Sequence, residues 1–96
     1  MYVAVSKIVF EAGESPYDNR EIKSLVTSLE KRFAICAKNC KDPGTGQYSI
    51  VTTLLDHKQE SLNQRLDKIS DFCEESGFGR IESERTFFEH IDNLFE

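Results

Sequence analysis

With 96 residues, of which 39% are hydrophobic and 30% are charged, the chain has the composition of one globular domain and is too short for two. Its formal net charge of -5 is concentrated in residues 56–96, which carry eleven acidic and five basic side chains, so we expect no DNA-binding surface. No apolar run approaches the roughly 20 residues of a membrane-spanning helix, and the first ten residues lack the features of a signal peptide. We therefore expect a cytoplasmic protein with reduced thiols and no membrane partner.

The first half of the chain predicts a strand, a helix and a second strand. Residues 1–10 form a strand that is apolar on both faces, because three valines alternate with Tyr2, Ala4, Ile8 and Phe10. Helical spacing of apolar residues predicts a helix over residues 18–32, capped by Asp18 and with one buried stripe: Ile22, Leu25, Val26, Leu29 and Phe33. Residues 33–40, rich in small side chains, predict the second strand.

The second half predicts a strand, a helix, a strand and a tail. The turn cluster Lys41–Gly46 favours a hairpin loop into a third strand over residues 47–55. A second helix is expected over residues 57–76, capped by Asp56 and ended by Gly77 in a left-handed conformation. Helical spacing gives it a buried stripe: Leu62, Leu66, Ile69, Phe72 and Cys73. Residues 80–88 suit a fourth strand. In the tail, residues 89–96, helix and strand patterns compete from about Phe87 onward.

This order, β-α-β-β-α-β, predicts an α+β ferredoxin-like sandwich with two helices on one face of a four-stranded antiparallel sheet. The other sheet face then has no cover, although the strands are apolar on both sides. Either the tail folds over that face or another protein surface, including a second copy of the chain, covers it. The aromatic candidates for such an interaction are Tyr2, Phe10, Tyr48, Phe87, Phe88 and Phe95.

The first helix and its exit into a strand resemble the YlxP-like family of small bacterial proteins of unknown function. The matching residues are Arg20, Lys23, Ser24, Leu25, Leu29, Arg32, Phe33 and Ile35, and the resemblance extends over about residues 1–90. It implies a ferredoxin-like fold and a role near translation or ribosome maturation. The chain departs from the family at the third strand, where it keeps Gln47 but lacks the family's Trp and Arg.

Residue patterns typical of metal binding or catalysis are weak in this chain. Cys36 and Cys40 lie about 13 Å apart if their segment is extended, too far to share one zinc ion with His57 or His90. Cys73 belongs to the buried stripe of the second helix and has no nearby base. We therefore predict no metal, no cofactor and no catalytic residue.

The preferred hypothesis is thus a non-enzymatic interaction domain that binds a protein partner or itself. One alternative is an RNA-binding module, ribosome-associated or not, that uses the basic residues of the first helix: Arg20, Lys23, Lys31 and Arg32. The other alternative is a small-ligand or hydrolytic domain. It would use the amides of residues 44–46 for a phosphate, or the carboxylates of Glu82 and Glu84 on the fourth strand.

Overall fold

The computed structural model describes residues 1–12 and 19–95, and its elements follow the predicted order. The strands are β1 (Tyr2–Phe10), β2 (Cys36–Lys41), β3 (Tyr48–Asp56) and β4 (Ile81–His90). The helices are α1 (Asn19–Phe33), α2 (Gln59–Glu75) and a short 3₁₀ helix (Ile91–Leu94). The predicted Asp18 cap lies outside the described residues. In the described part of the chain, no helix is long and apolar enough to cross a membrane.

The four strands form one antiparallel sheet in the order β2-β3-β1-β4. Ala4 in the middle of the sheet pairs with Leu54 on one side and with Phe88 on the other. Because paired residues in an antiparallel sheet point to the same face, this register fixes which side chains share a face. A bulge after Val9 shifts the register of β1 and β4, so that Phe10 lies opposite Ile81.

Both helices pack on the same face of the sheet, which confirms the predicted α+β, ferredoxin-like arrangement. The even-numbered residues of β1 and β3, such as Ile8 and Ile50, are buried there. They share one core with the buried residues of both helices: Ile22, Leu25, Val26 and Leu29 of α1, and Leu62, Ile69 and Cys73 of α2. The helical spacing that predicted these two stripes therefore located the core.

The junction between α1 and β2 differs from the predicted boundary. α1 continues to Phe33, and Ala34 has a positive φ of 52° while its N–H donates to the Glu30 carbonyl at 3.1 Å. This left-handed residue ends the helix in the manner of a C-terminal cap. β2 consequently begins at Cys36, three residues later than predicted.

Asp56 stabilises the start of α2, although it precedes the N-cap position, which Lys58 occupies. Its carboxylate accepts hydrogen bonds from the Lys58 N–H at 3.1 Å and from the Ser61 hydroxyl at 2.7 Å. Mainly the Ser61 hydroxyl, and then the Lys58 N–H, lower the pKa of Asp56. At the other end of α2, Gly77 has a φ of +76°, the left-handed conformation predicted for it.

The C-terminal residues continue β4 to His90 and then form the 3₁₀ helix. The Ile91 N–H donates to the Met1 carbonyl at 2.9 Å, and the His90 ring packs edge-on against Tyr2 at 4.9 Å between centroids. These contacts hold the end of β4 beside the start of β1, at the sheet's end.

Candidate interaction surface

The sheet face opposite the helices, which we call the open face, carries the odd-numbered residues of β1 and β3, those of β4 from Ser83 onward, and the even-numbered residues of β2. Ile81, on the other side of the bulge, pairs with Phe10 and lies on the helix side. The members of the open face follow from the register and from the alternating burial of the strands. They are Val3, Val5, Lys7, Val9, Cys36, Lys38, Cys40, Ser49, Val51, Thr53, Leu55, Ser83, Arg85, Phe87 and Glu89. With strands about 4.8 Å apart and residues about 3.3 Å apart along each strand, the face measures roughly 500 Å² in projection.

Three apolar side chains of the open face are exposed, whereas Val3 is buried and Val9 and Val51 are half-buried. Val5 keeps 37% of its surface accessible, Leu55 51% and Phe87 55%. Val5 and Phe87 are directly opposite each other on β1 and β4, and Leu55 lies opposite Val3 on β3. Large exposed apolar side chains grouped on one face of a domain favour an interaction site.

A row of cations crosses the same face. Lys38, Val51, Lys7 and Arg85 are successive partners in the register from β2 through β3 and β1 to β4. We call Lys38, Lys7 and Arg85 the basic row; it spans about 14 Å across three strand spacings. All three side chains are exposed, and none has an ion pair with any described residue. Because like charges directly opposite are unfavourable in a strand pair, Lys7 beside Arg85 is a cost to the isolated sheet.

Glu89 is the carboxylate of the open face, and its hydrogen bonds are local. It accepts from the Asn93 side-chain amide at 2.6 Å and from the His90 N–H at 3.0 Å. These two bonds, the Asn93 bond first, lower the pKa of Glu89. The carboxylate therefore braces the 3₁₀ helix and does not neutralise the basic row, which lies four residues away at Arg85.

The tail residues that the structure describes leave Val5, Leu55 and Phe87 on the open face exposed. Of the apolar side chains of the tail, Leu94 and Phe95 are 48% and 82% exposed, whereas Ile91 is half-buried. The 3₁₀ helix instead follows directly from β4 and is tied to it through His90 and Glu89.

The predicted aromatic contacts divide between the two sides of the sheet. Phe10 and Tyr48 are core residues, 0% and 4% exposed, and both pack edge-on against Phe78. Because they have the even parity of the helix side, these two residues are unavailable to a partner, and the expectation that they would contact one is corrected. Tyr2 and Phe88 also have this parity and stack on each other at 5.6 Å.

Of the predicted aromatics, Phe87 lies on the open face, and Phe95 is exposed beyond the 3₁₀ helix. The sequence pattern missed the basic row altogether. Strand alternation alone could have placed Lys7 and Arg85 on the non-core faces of their strands. Their alignment with Lys38 depends on the register between strands, which cannot be read from the sequence.

The basic residues of α1 do not form one patch. Arg32 turns towards α2 and lies over the Phe72 ring at 5.2 Å, a cation–π contact. Arg20, twelve residues earlier, is about 18 Å away along the helix axis and borders a cleft with Phe72 and Phe78. Lys23 and Lys31 are exposed to solvent.

The cysteines do not come together as a metal centre. Cys36 and Cys40 are exposed on the open face, whereas Cys73 is buried on the core side of α2. Burial, and secondarily the nearby Glu84 carboxylate, raises the pKa of Cys73 to about 12, so its thiol stays protonated. In the described part of the chain, His, Cys, Asp and Glu side chains do not cluster in threes that could hold a metal ion.

The predicted phosphate loop and acidic strand are both engaged in internal contacts. The Gly44 and Thr45 N–H groups donate to the Asp42 carboxylate at 2.7 and 3.2 Å, which stabilises the hairpin turn. On β4, the Glu82 carboxylate accepts from the Gln47 side chain, and the Glu84 carboxylate accepts from the Ser70 hydroxyl. These contacts tie the hairpin and α2 to β4.

Fold and surface together define an α+β, ferredoxin-like domain with a mixed apolar and basic open sheet face. No protein-family model matches the chain, and no curated protein matches it. Among solved structures, the chain is similar to Rv0793 from Mycobacterium tuberculosis, with a TM-score of 0.54 and 8% sequence identity over 94% of each chain. At this identity the likeness shows the fold alone.

Proposed function

We propose that this chain is a non-enzymatic interaction domain that binds a protein partner through its open face. The observation that carries the proposal is the exposure of Val5, Leu55 and Phe87 on the sheet face opposite the helices. Apolar surface held in water by a rigid sheet favours association, because burying it gains roughly 25 cal/mol per Å². In the complex, the partner protein would bury the exposed apolar side chains of the open face.

The resemblance to the YlxP-like family supports a cytoplasmic setting and directs the search for a partner to ribosomal and ribosome-maturation particles. The alternatives are less well supported by the contacts. Arg32 packs against α2 and so does not join the other α1 bases, and the amides of the Gly44 loop already bind Asp42.

A pair of matched double variants tests the proposal. Leu55→Ser with Phe87→Ser makes the open face polar, whereas Leu94→Ser with Phe95→Ser removes comparably exposed apolar surface from the tail. We expect the first variant to lose the partners that the wild-type chain captures from native lysate, with and without RNase, and the second to keep them. Light scattering of the purified chain over a range of concentrations reports self-association separately.

Retention of every partner by the open-face variant would contradict the proposal. So would a loss confined to the tail variant, because the contact would then lie at Phe95. Thermal unfolding of both variants checks that the fold survives. Leu55, Phe87 and Leu94 are about half exposed and Phe95 more so, so each replacement by serine should cost about 1 kcal/mol or less.

A further inference from the structure

We infer that the open face is built for an acidic, amphipathic segment of a partner protein, an inference that rests on the proposed function and specifies its partner. The basic row of Lys38, Lys7 and Arg85 carries it. These cations lie in one line across the sheet, exposed, and no described carboxylate pairs with them. In a chain of net charge -5, this face carries three bases against one acid, Glu89.

The geometry specifies where the partner's groups must lie. The apolar pair Val5 and Phe87 is two residues from the basic row along β1 and β4, or about 6.6 Å. An extended segment that fits both features carries a carboxylate two residues away from an apolar side chain, so that both side chains point to the open face. Carboxylates opposite the row would also remove the unfavourable Lys7–Arg85 juxtaposition, which no described group relieves in the isolated chain.

A second copy of the chain fits this surface poorly. Stacking two open faces by a two-fold axis would enclose both basic rows and only the two Glu89 carboxylates, which are already hydrogen-bonded to Asn93. Enclosing uncompensated cations in an interface is costly. A single-stranded nucleic acid also fits less well, because such ligands stack their bases on aromatic rings. The apolar residues of the open face are aliphatic except for Phe87.

Charge reversal at Lys7 separates binding from folding. Lys7→Glu places a carboxylate opposite Arg85, so it replaces a like-charge pair with an attractive one. The melting temperature should therefore stay the same or rise, while an acidic partner loses one counter-charge and gains a repulsive one. Lys23→Glu is the matched control, because Lys23 is also exposed but lies on α1, on the other side of the sheet.

The probe is a fluorescent peptide of repeating Leu-Ser-Glu-Ser, followed by anisotropy; leucine and glutamate two residues apart then share one face of an extended segment. Peptides of leucine with lysine and of serine with glutamate are the controls, together with a uridine oligonucleotide. We expect the leucine–glutamate peptide to bind more tightly than every control, and more weakly as salt is raised. Lys7→Glu should weaken its binding about tenfold, whereas Lys23→Glu should leave it unchanged.

The inference would be overturned by equal binding of the lysine peptide, by equal affinity of the Lys7→Glu and Lys23→Glu variants, or by tighter binding of the oligonucleotide. A concentration-dependent dimer that blocks the peptide would assign the face to a second copy, and would overturn it also. The failure of this inference differs from the failure of the proposed function. If Lys7→Glu keeps the lysate partners that the Leu55→Ser, Phe87→Ser variant loses, the open face binds a partner but does not select an acidic one. The proposed function then stands and this inference fails.

Discussion

Phe87 and Phe88 are neighbours in β4 whose side chains lie on opposite faces of the sheet, so replacing each with alanine tests the assignment of faces. Phe88 is half-buried, packs against the core and stacks on Tyr2 at 5.6 Å, whereas Phe87 is 55% exposed. Burying a whole phenylalanine is worth up to about 3 kcal/mol, and the covered 45% of Phe87 therefore contributes about 1 kcal/mol. For Phe88, lost packing, the ring contact and the cavity together cost about 2–3 kcal/mol.

Urea denaturation followed by circular dichroism measures both free energies of unfolding. We expect Phe88→Ala to be the less stable variant by 1–2 kcal/mol, or about 5–10 °C in melting temperature for a domain of this size. Equal costs would refute the assignment of Phe87 to an uncovered face. A cost at Phe87 that grows with protein concentration would mean that a second copy covers it.

Three further predictions concern the helix side of the sheet and the end of α1. The Thr52 hydroxyl is fully buried and has no hydrogen-bond partner among the described residues, so Thr52→Val should raise the free energy of unfolding by about 1 kcal/mol. The same change at exposed Thr53 should have an effect within about 0.5 kcal/mol, and destabilisation by Thr52→Val would show that the hydroxyl is bonded after all. Ala34 has a φ of 52°, so Ala34→Gly should stabilise the chain by about 1 kcal/mol in the same assay, whereas Ala37→Gly within β2 should destabilise it. The pKa of the buried Cys73 thiol is about 12, against 9.0 for a free thiol. As pH rises through this interval the unfolded chain loses the proton first, so stability that is complete below pH 9 falls towards pH 12. Cys73→Val should lack this component of the pH dependence; an identical decline in both proteins, measured by urea denaturation at each pH, would contradict it.

The sequence predicted the fold because its strongest patterns arise from burial. The spacing of Ile22, Leu25 and Leu29 located the buried face of α1, and the alternation in β1 separated Ile8 and Phe10 from the valines. The left-handed Gly77 was also predictable, since glycine carries no steric penalty there. Ala34 also has the left-handed conformation that ends a helix, but it is not a glycine and so gave no such signal. The end of α1 was therefore predicted one residue too early.

The candidate surface was harder to predict, because it depends on pairing between distant segments. Aromatic side chains suggested contacts equally at Tyr48 and Phe87, but one belongs to the core and the other to the open face. Local alternation is apolar on both sides of β1 and β3, so it could not say which side the helices cover. Lys38, Lys7 and Arg85 are far apart in the sequence, and only the sheet register brings them into one row.

The position of β2 at the rim of the sheet has a consequence for amide hydrogen exchange. This strand pairs with β3 alone, is six residues long, and buries one side chain, that of Ala37. Edge strands with so little buried surface open without unfolding the whole domain, so the amides of β2 should exchange before those of β1 and β3. Lys38 lies in this strand and belongs to the basic row. Slower exchange in β2 on adding a ligand would therefore report occupancy of the sheet surface without any label attached to the protein.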